Sequence, residues 1–150
     1  MAKFKYRMQN ILDIKIKLED QEKIAFGIAS AKVNEEQEKL KALMVRKAGY
    51  EKQLKDLSQG AINFSDIKIC KNSIDAMKSS IRDQMIVLSR AQRDLDIARK
   101  RLNDVMMERK MHENLRDKAF KSFMQEELRM EGKVTDELVS YTYSERNIEE

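Results

Sequence analysis

The 150-residue sequence contains no proline, no tryptophan and only four glycines. Sandwiches, barrels and doubly wound sheets need turn residues at short intervals, so this scarcity argues against all three. Charged residues make up 37% of the chain and hydrophobic residues 41%. That combination is typical of long helices and coiled coils. Disorder is the less favoured interpretation because the apolar residues recur periodically.

Residues that usually carry chemistry are also scarce. Cys70 is the single cysteine and His112 the single histidine, which excludes an internal disulfide framework and a multi-cysteine or multi-histidine metal site. The four glycines are far apart, so the sequence has no glycine-rich phosphate-binding loop. We interpret Cys70 as a small apolar residue of the seam and His112 as a packed or solvated side chain, and we predict no catalytic residue, no metal and no cofactor.

No run of about 18 apolar residues is present, so the sequence predicts no membrane span. The first residues, Met1 to Arg7, lack the apolar core of a signal peptide. The expected location is therefore the cytoplasm.

The formal net charge of +4 is unevenly distributed. Residues 1–133 carry 29 Lys and Arg against 21 Asp and Glu, whereas residues 134–150 carry one Arg against five acids. Positive and negative side chains interspersed along a helix indicate a solvated surface with ion pairs. A nucleic-acid-binding helix would show a stronger basic stripe. We therefore expect no nucleic-acid partner and no small-molecule substrate. The N-terminal Lys3, Lys5 and Arg7 nevertheless predict a positive end.

The second half of the chain has a heptad pattern that spans nearly six repeats. Eleven of the twelve residues at alternating steps of three and four are apolar. Such a repeat keeps one stripe against a partner helix in a left-handed coiled coil. The twelve residues of this predicted seam are Ile67, Cys70, Ile74, Met77, Ile81, Gln84, Leu88, Ala91, Leu95, Ala98, Leu102 and Val105.

A weaker pattern runs through the first half, where twelve of sixteen seam positions are apolar. Two consecutive steps of four, at Ala25, Ala29 and Val33, predict a stutter that locally unwinds the supercoil. The predicted seam consists of Phe4, Arg7, Ile11, Ile14, Leu18, Gln21, Ala25, Ala29, Val33, Glu36, Leu40, Leu43, Lys47, Tyr50, Leu54 and Leu57.

A short segment containing Gly60 separates the two seams. Gly60 can take the left-handed conformation that ends a helix, and Ser65 is a candidate N-cap for the next one. The sequence therefore predicts an all-α fold, a long antiparallel two-helix coiled coil with a central hinge. The predicted hairpin covers residues 1–132, with helices over about 4–57 and 66–128 and the hinge at about 58–65. Residues 133–150 are predicted to form a flexible acidic tail.

The N-terminal segment Phe4-Lys5-Tyr6-Arg7-Met8-Gln9-Asn10-Ile11-Leu12-Asp13 resembles the opening of flagellar FliJ proteins, which reads aromatic-x-aromatic-x-Leu-Gln-x-Leu-Leu-Asp. Length, lack of proline, central hinge and polar tail also agree with that family. The resemblance implies a non-catalytic component of bacterial flagellar type III protein export, similar to the central stalk of rotary ATPases. It implies three partners: the hexameric flagellar export ATPase, the transmembrane export gate protein and the flagellar export chaperones. It also implies peripheral association with the cytoplasmic face of the inner membrane at the flagellar base.

Two groups of candidate binding residues follow. The end where the chain termini meet is expected to dock in the ATPase ring, with seam residues holding the helices rigid and basic groups facing outward. This terminal set is Phe4, Arg7, Ile11, Met111, Leu115, Arg116, Phe120 and Phe123. The resemblance further implies an exposed patch for the export gate, formed by Leu43, Tyr50, Met77, Ser80 and Gln84. Since four of these five also lie on the predicted seam, the pattern itself favours the core for Leu43 and Met77.

Two other functions compete with this one. A generic coiled-coil scaffold or chaperone could hold client helices against its methionine-rich surface. A nucleic-acid-binding coiled coil would show an affinity that falls steeply with salt.

Overall fold

A computed structural model describes residues 2–148 of the chain. Two helices, α1 (Gln9–Leu57) and α2 (Phe64–Ile148), account for 91% of these residues, which include no strand. The helices pack against each other as an antiparallel hairpin, as the sequence predicts. The order of their contacts shows the antiparallel sense, because Tyr50 contacts Cys70, Glu36 contacts Gln84 and Lys15 contacts Glu108.

The hairpin divides into two compact units. The terminal unit combines the residues up to Glu19 with those from Val105 onward. The hinge unit runs from Asp20 to Asp104 and contains the turn between the helices. Each unit therefore has segments of both helices and its own buried residues.

The turn between the helices is short and hydrogen-bonded at both ends. The Ser58 amide and hydroxyl both donate to the carbonyl oxygen of Leu54, at 3.1 and 2.8 Å. Gly60 has a φ of 93°, in the left-handed region that a side chain would strain. The Asn63 side chain accepts the amide hydrogen of Ser65 at 3.1 Å. Asn63 is thus the N-cap of α2, and the prediction of Ser65 for that role was wrong.

Both outer helix boundaries differ from the prediction. The first helix starts at Gln9, not near residue 4, and residues 2–6 form a non-helical lead-in. At the other end α2 does not stop near residue 128 but continues to Ile148. Residues 128–148 are all exposed, so packing does not account for the helix; the segment lacks proline, and eight of its 21 residues are the good helix formers Glu, Leu, Lys and Arg. The last two residues of the predicted tail, Glu149 and Glu150, lie outside the described residues.

The buried face of α2 agrees with the sequence pattern. All twelve residues of its predicted seam are buried or half-buried, and Cys70, Ile74, Ala91 and Ala98 are the most enclosed. These small and β-branched side chains let the helices approach closely.

The buried face of α1 matches the predicted seam only from Ala29 onward. Towards the N-terminus it lies one residue later, at Leu12, Lys15, Glu19, Glu22 and Phe26. In this register the steps of three and four alternate regularly, so the predicted stutter disappears. Polar side chains occupy three of these five positions, which is why an apolar pattern placed the seam elsewhere.

Candidate functional site

An aromatic cluster joins the N-terminal lead-in to α2 in the terminal unit. The Phe4 ring centroid lies 5.2 Å from that of Phe120, with the rings nearly perpendicular at 76°. It lies 5.4 Å from that of Phe123, with the rings tilted at 51°. Offset and edge-on aromatic pairs at such distances add to the energy of apolar burial. The cluster therefore holds the segment before α1 against the second helix.

The remaining residues of the terminal set lie mostly outside the helix–helix seam. Ile11, Met111, Leu115 and Phe120 are between 38% and 53% exposed. Arg7 and Arg116 are exposed as well, whereas Phe4 and Phe123 are half-buried. The expectation that Ile11, Met111 and Leu115 pack in the seam was wrong, because the buried face of α1 lies one residue later and that of α2 turns away from Met111.

Leu12 and an ionic network fill the seam in the terminal unit. Leu12 is 1% exposed and is the largest fully buried side chain among the described residues. Next to it in the seam, Lys15 binds Glu108 at 2.6 Å, and its hydrogen bond lowers the pKa of that carboxyl. Arg109 binds both Glu19 and Glu113, and hydrogen bonds from the guanidinium to these two carboxylates raise the pKa of Arg109.

Sequence reasoning missed this network. The only signal for it was the occurrence of Lys15 and Glu19, four residues apart, opposite Glu108 and Arg109 once the helices are aligned. An apolar pattern gives such residues no weight, although charged side chains that pair across a seam can set its register.

Two polar atoms in the terminal unit are buried without a hydrogen-bond partner among the described residues: the Tyr6 hydroxyl and Nδ1 of His112. His112 occupies the seam position that follows Arg109 on α2 and is half-buried. The histidine is therefore a packed side chain, one of the two environments, packed or solvated, that the sequence predicts.

A row of exposed apolar side chains on α2 lies beside the network. Met107, Met111 and Leu115 follow one another at intervals of four residues and are 44% to 69% exposed. Together with Lys110 and Lys118 they line a shallow groove of about 390 Å³. The surface combines apolar and basic groups and has no acidic residue in its lining. It suits a partner with an apolar, acidic surface.

The five residues of the predicted gate patch lie in the hinge unit, and all are half-buried. Leu43, Tyr50, Met77 and Gln84 occupy seam positions, while Ser80 lies immediately before the seam residue Ile81. A two-helix coiled coil covers its seam from two sides only, so these side chains retain partial exposure. The patch is thus part of the packing between the helices and is also accessible from outside.

Gln84 belongs to a buried polar layer around Glu36. Its side-chain amide donates to the Glu36 carbonyl oxygen at 3.0 Å and also to the Glu36 carboxylate. Lys32 and Lys39 approach the same carboxylate at 3.0 and 3.4 Å. The hydrogen bonds from Gln84 and Lys32 lower the pKa of Glu36 to about 2. The carboxylate is therefore charged and fully paired although only 2% of the residue is exposed.

Within residues 2–148, neither helix contains a stretch long and apolar enough to cross a membrane. A family model described as flagellar FliJ protein matches residues 4–147. No curated protein and no solved structure matches the chain.

Proposed function

Since the chain belongs to the flagellar FliJ family and is thus a component of flagellar protein export, we propose that it couples the export ATPase to the export gate. In this function the terminal unit docks in the hexameric ATPase ring, the hinge unit contacts the transmembrane gate protein, and export chaperones bind as further partners. The protein is not an enzyme and contributes no catalytic residue. It acts at the cytoplasmic face of the inner membrane.

The exposed surface of the terminal unit is the observation that carries the ATPase contact. Ile11, Met111 and Leu115 place apolar side chains in solvent, and the basic residues Arg7 and Arg116 of the same unit are exposed as well. In this unit the aromatic cluster and the ionic network fix both helices. A coupling element needs this combination, because a frayed end could not bias the conformation of the ATPase subunits.

The ATPase contact is tested by Ile11→Asp and Leu115→Asp. Each change places a carboxylate on the exposed surface without emptying the seam, so the hairpin should keep its melting temperature. We expect each variant to bind the purified ATPase at least about tenfold more weakly, as for a central interface residue. Each should also lose the ability to raise the rate of ATP hydrolysis.

The matched control is Ile97→Asp in the hinge unit, because Ile97 is 46% exposed and Leu115 44%. It should bind and stimulate the ATPase like the unchanged protein. Equal losses in all three variants, or none in any, would contradict docking through the terminal unit.

The gate contact is best tested at Ser80, the one residue of the patch outside the seam. Ser80→Arg adds a large charged side chain at the edge of the patch and leaves Leu43 and Met77 packed. We expect it to abolish binding to the soluble part of the gate protein while binding to the ATPase is retained. Unchanged gate binding would remove this patch from the proposal.

The two alternative functions make different predictions. A nucleic-acid-binding protein would lose duplex affinity with rising salt at a log–log slope of about −0.9 for each phosphate contact. A generic scaffold would bind client helices equally well after Ile11→Asp, since its binding surface would be the methionine-rich face as a whole.

A further inference from the structure

The turn between the helices carries the most exposed large apolar side chain of the hinge unit and a second exposed one beside it. Phe64, the first residue of α2, is 82% exposed, and Ile62 just before it is 57% exposed. Neither side chain folds back over the end of the hairpin, and both are exposed to solvent. Side chains of this size at a turn cannot be explained by packing within the chain.

Four lysines surround this apolar turn. Lys52 and Lys55 lie in the last two turns of α1, and Lys68 and Lys71 lie in the first two turns of α2. All four are exposed, and none forms an ion pair with a residue that the structure describes. At ~1.5 Å per residue, Lys68 and Lys71 lie about 6 and 10 Å along the helix axis from Phe64.

Acidic residues offset only part of this charge. Asp56 and Asp66 are the acids between Lys52 and Lys71, so the segment keeps a net charge of +2. The nearby Glu51 is engaged by Lys47 at 3.3 Å. Positive potential therefore remains around the exposed apolar turn.

We infer that this turn contacts the surface of an anionic lipid bilayer, with Ile62 and Phe64 inserted among the headgroups and the four lysines at the level of the phosphates. Peripheral segments bury their apolar side chains about 5–10 Å deep, which matches the distance between Phe64 and the lysines. Each lysine near an anionic surface contributes a similar, modest amount to the free energy of membrane binding. With two inserted side chains and a small net charge, the contact is weak and reversible.

A lipid surface fits better than a protein groove because the apolar residues form a projection, and their charged neighbours all lie on the helices behind it. The contact adds a membrane-binding site to the proposed function but does not depend on it, since lipid binding requires neither the ATPase nor the gate.

The absence of tryptophan allows a direct test. Phe64→Trp in the full-length chain introduces a single tryptophan at the turn, which can be excited selectively in the presence of the four tyrosines. With vesicles of phosphatidylcholine and phosphatidylglycerol we expect its emission to shift to shorter wavelength, and with phosphatidylcholine alone we expect no shift. The matched control is Val45→Trp, because Val45 is 64% exposed and lies on α1 of the same unit. Its emission should not change with either lipid.

Sedimentation with the same anionic vesicles measures the strength of the contact. Changing Lys68 to Gln should reduce partitioning about fivefold, and also changing Lys71 should reduce it about fivefold again. The double change Ile62→Ser with Phe64→Ser should reduce it at least about tenfold. No shift for Phe64→Trp, an equal shift for Val45→Trp, or an equal shift with uncharged vesicles would overturn the inference. Failure of ATPase binding would leave it standing.

Discussion

Glu36 has a charged carboxylate in the seam of the hinge unit with only 2% of its surface exposed. Its partners are Gln84 across the seam and two lysines on its own helix. A buried charge of this kind is retained only when every acceptor position is satisfied. The residue thus links side-chain pairing to the register of the two helices.

The pKa of Glu36 makes a prediction about acid stability. Because the pKa in the folded protein is about 2, below its ordinary 4.5, the carboxylate stabilises the fold fully above about pH 4.5. That contribution is lost as the pH falls towards 2. Glu36→Gln should lower the melting temperature at pH 7. It should also make the fall of the melting temperature between pH 4.5 and about pH 2 less steep, as followed by circular dichroism.

Glu35→Gln provides the control, since it removes the same charge from a neighbouring side chain that is 55% exposed. Its melting temperature should stay close to that of the unchanged protein. If the two variants behave alike over the whole pH range, the buried layer does not contribute as described.

Leu12 gives a test of the seam in the terminal unit. Leu12→Ala should destabilise the protein by about 2–5 kcal/mol, because a fully buried leucine leaves a cavity when truncated. Ile14→Ala should change stability by no more than about 0.5–1 kcal/mol, since Ile14 is 55% exposed. Urea unfolding measures both. If Ile14→Ala destabilised the protein more than Leu12→Ala, the seam would run through Ile14, as the apolar pattern predicts.

At the scale of the helices, the two seams differ in how far the sequence reveals them. The α2 seam could be predicted from Ile67 to Val105 because its residues are nearly all apolar. It could not be predicted beyond Val105, where Arg109 and His112 are half-buried and Met111 is exposed.

The first third of the α1 seam could not be predicted either, because Lys15 is half-buried and Glu19 buried through partners on the other helix while Ile11 and Ile14 are exposed. Such positions are set by contacts between residues that are far apart in the sequence. The periodicity of one helix carries no information about those contacts. The apolar residues of the terminal set were therefore expected to pack in the seam, whereas Ile11, Met111 and Leu115 are exposed.

Pairing between the helices can be measured by exchanging charges. Glu19→Arg and Arg109→Glu should each destabilise the protein, because each leaves two like charges facing one another in the seam. The double variant should recover part of the loss, with a coupling energy of about 0.5–3 kcal/mol. Additive losses in urea unfolding would show that these helices do not meet at this pair.

The C-terminal part of α2 gives a second prediction at this scale. Truncation after Gly132 removes a helical segment that is exposed throughout. The helical circular dichroism signal should fall in proportion to the residues removed, while the melting temperature of the hairpin should stay the same. A clear drop in melting temperature would mean that this segment supports the fold.

For the molecule as a whole, function depends on where the chain places its polar and apolar surfaces. Buried ionic layers in both units hold the two helices together, so the apolar residues outside the seam are available for partners. In the terminal unit these residues have basic neighbours, and this is the surface proposed for the ATPase. In the hinge unit they include the exposed turn, whereas the gate patch lies mostly in the seam and is half-buried. All three proposed contacts depend on the chain folding back on itself.

The distance between the N-terminal lead-in and α2 tests that fold most directly. Spin labels at positions 5 and 121, in a Cys70→Ala background and diluted with unlabelled protein, should lie within about 20 Å of one another, since packed helices are about 8–10 Å apart. If the two helices were instead joined into one straight helix, the labels would be about 170 Å apart. A separation of many tens of ångströms within one molecule would contradict the hairpin and the functions proposed from it.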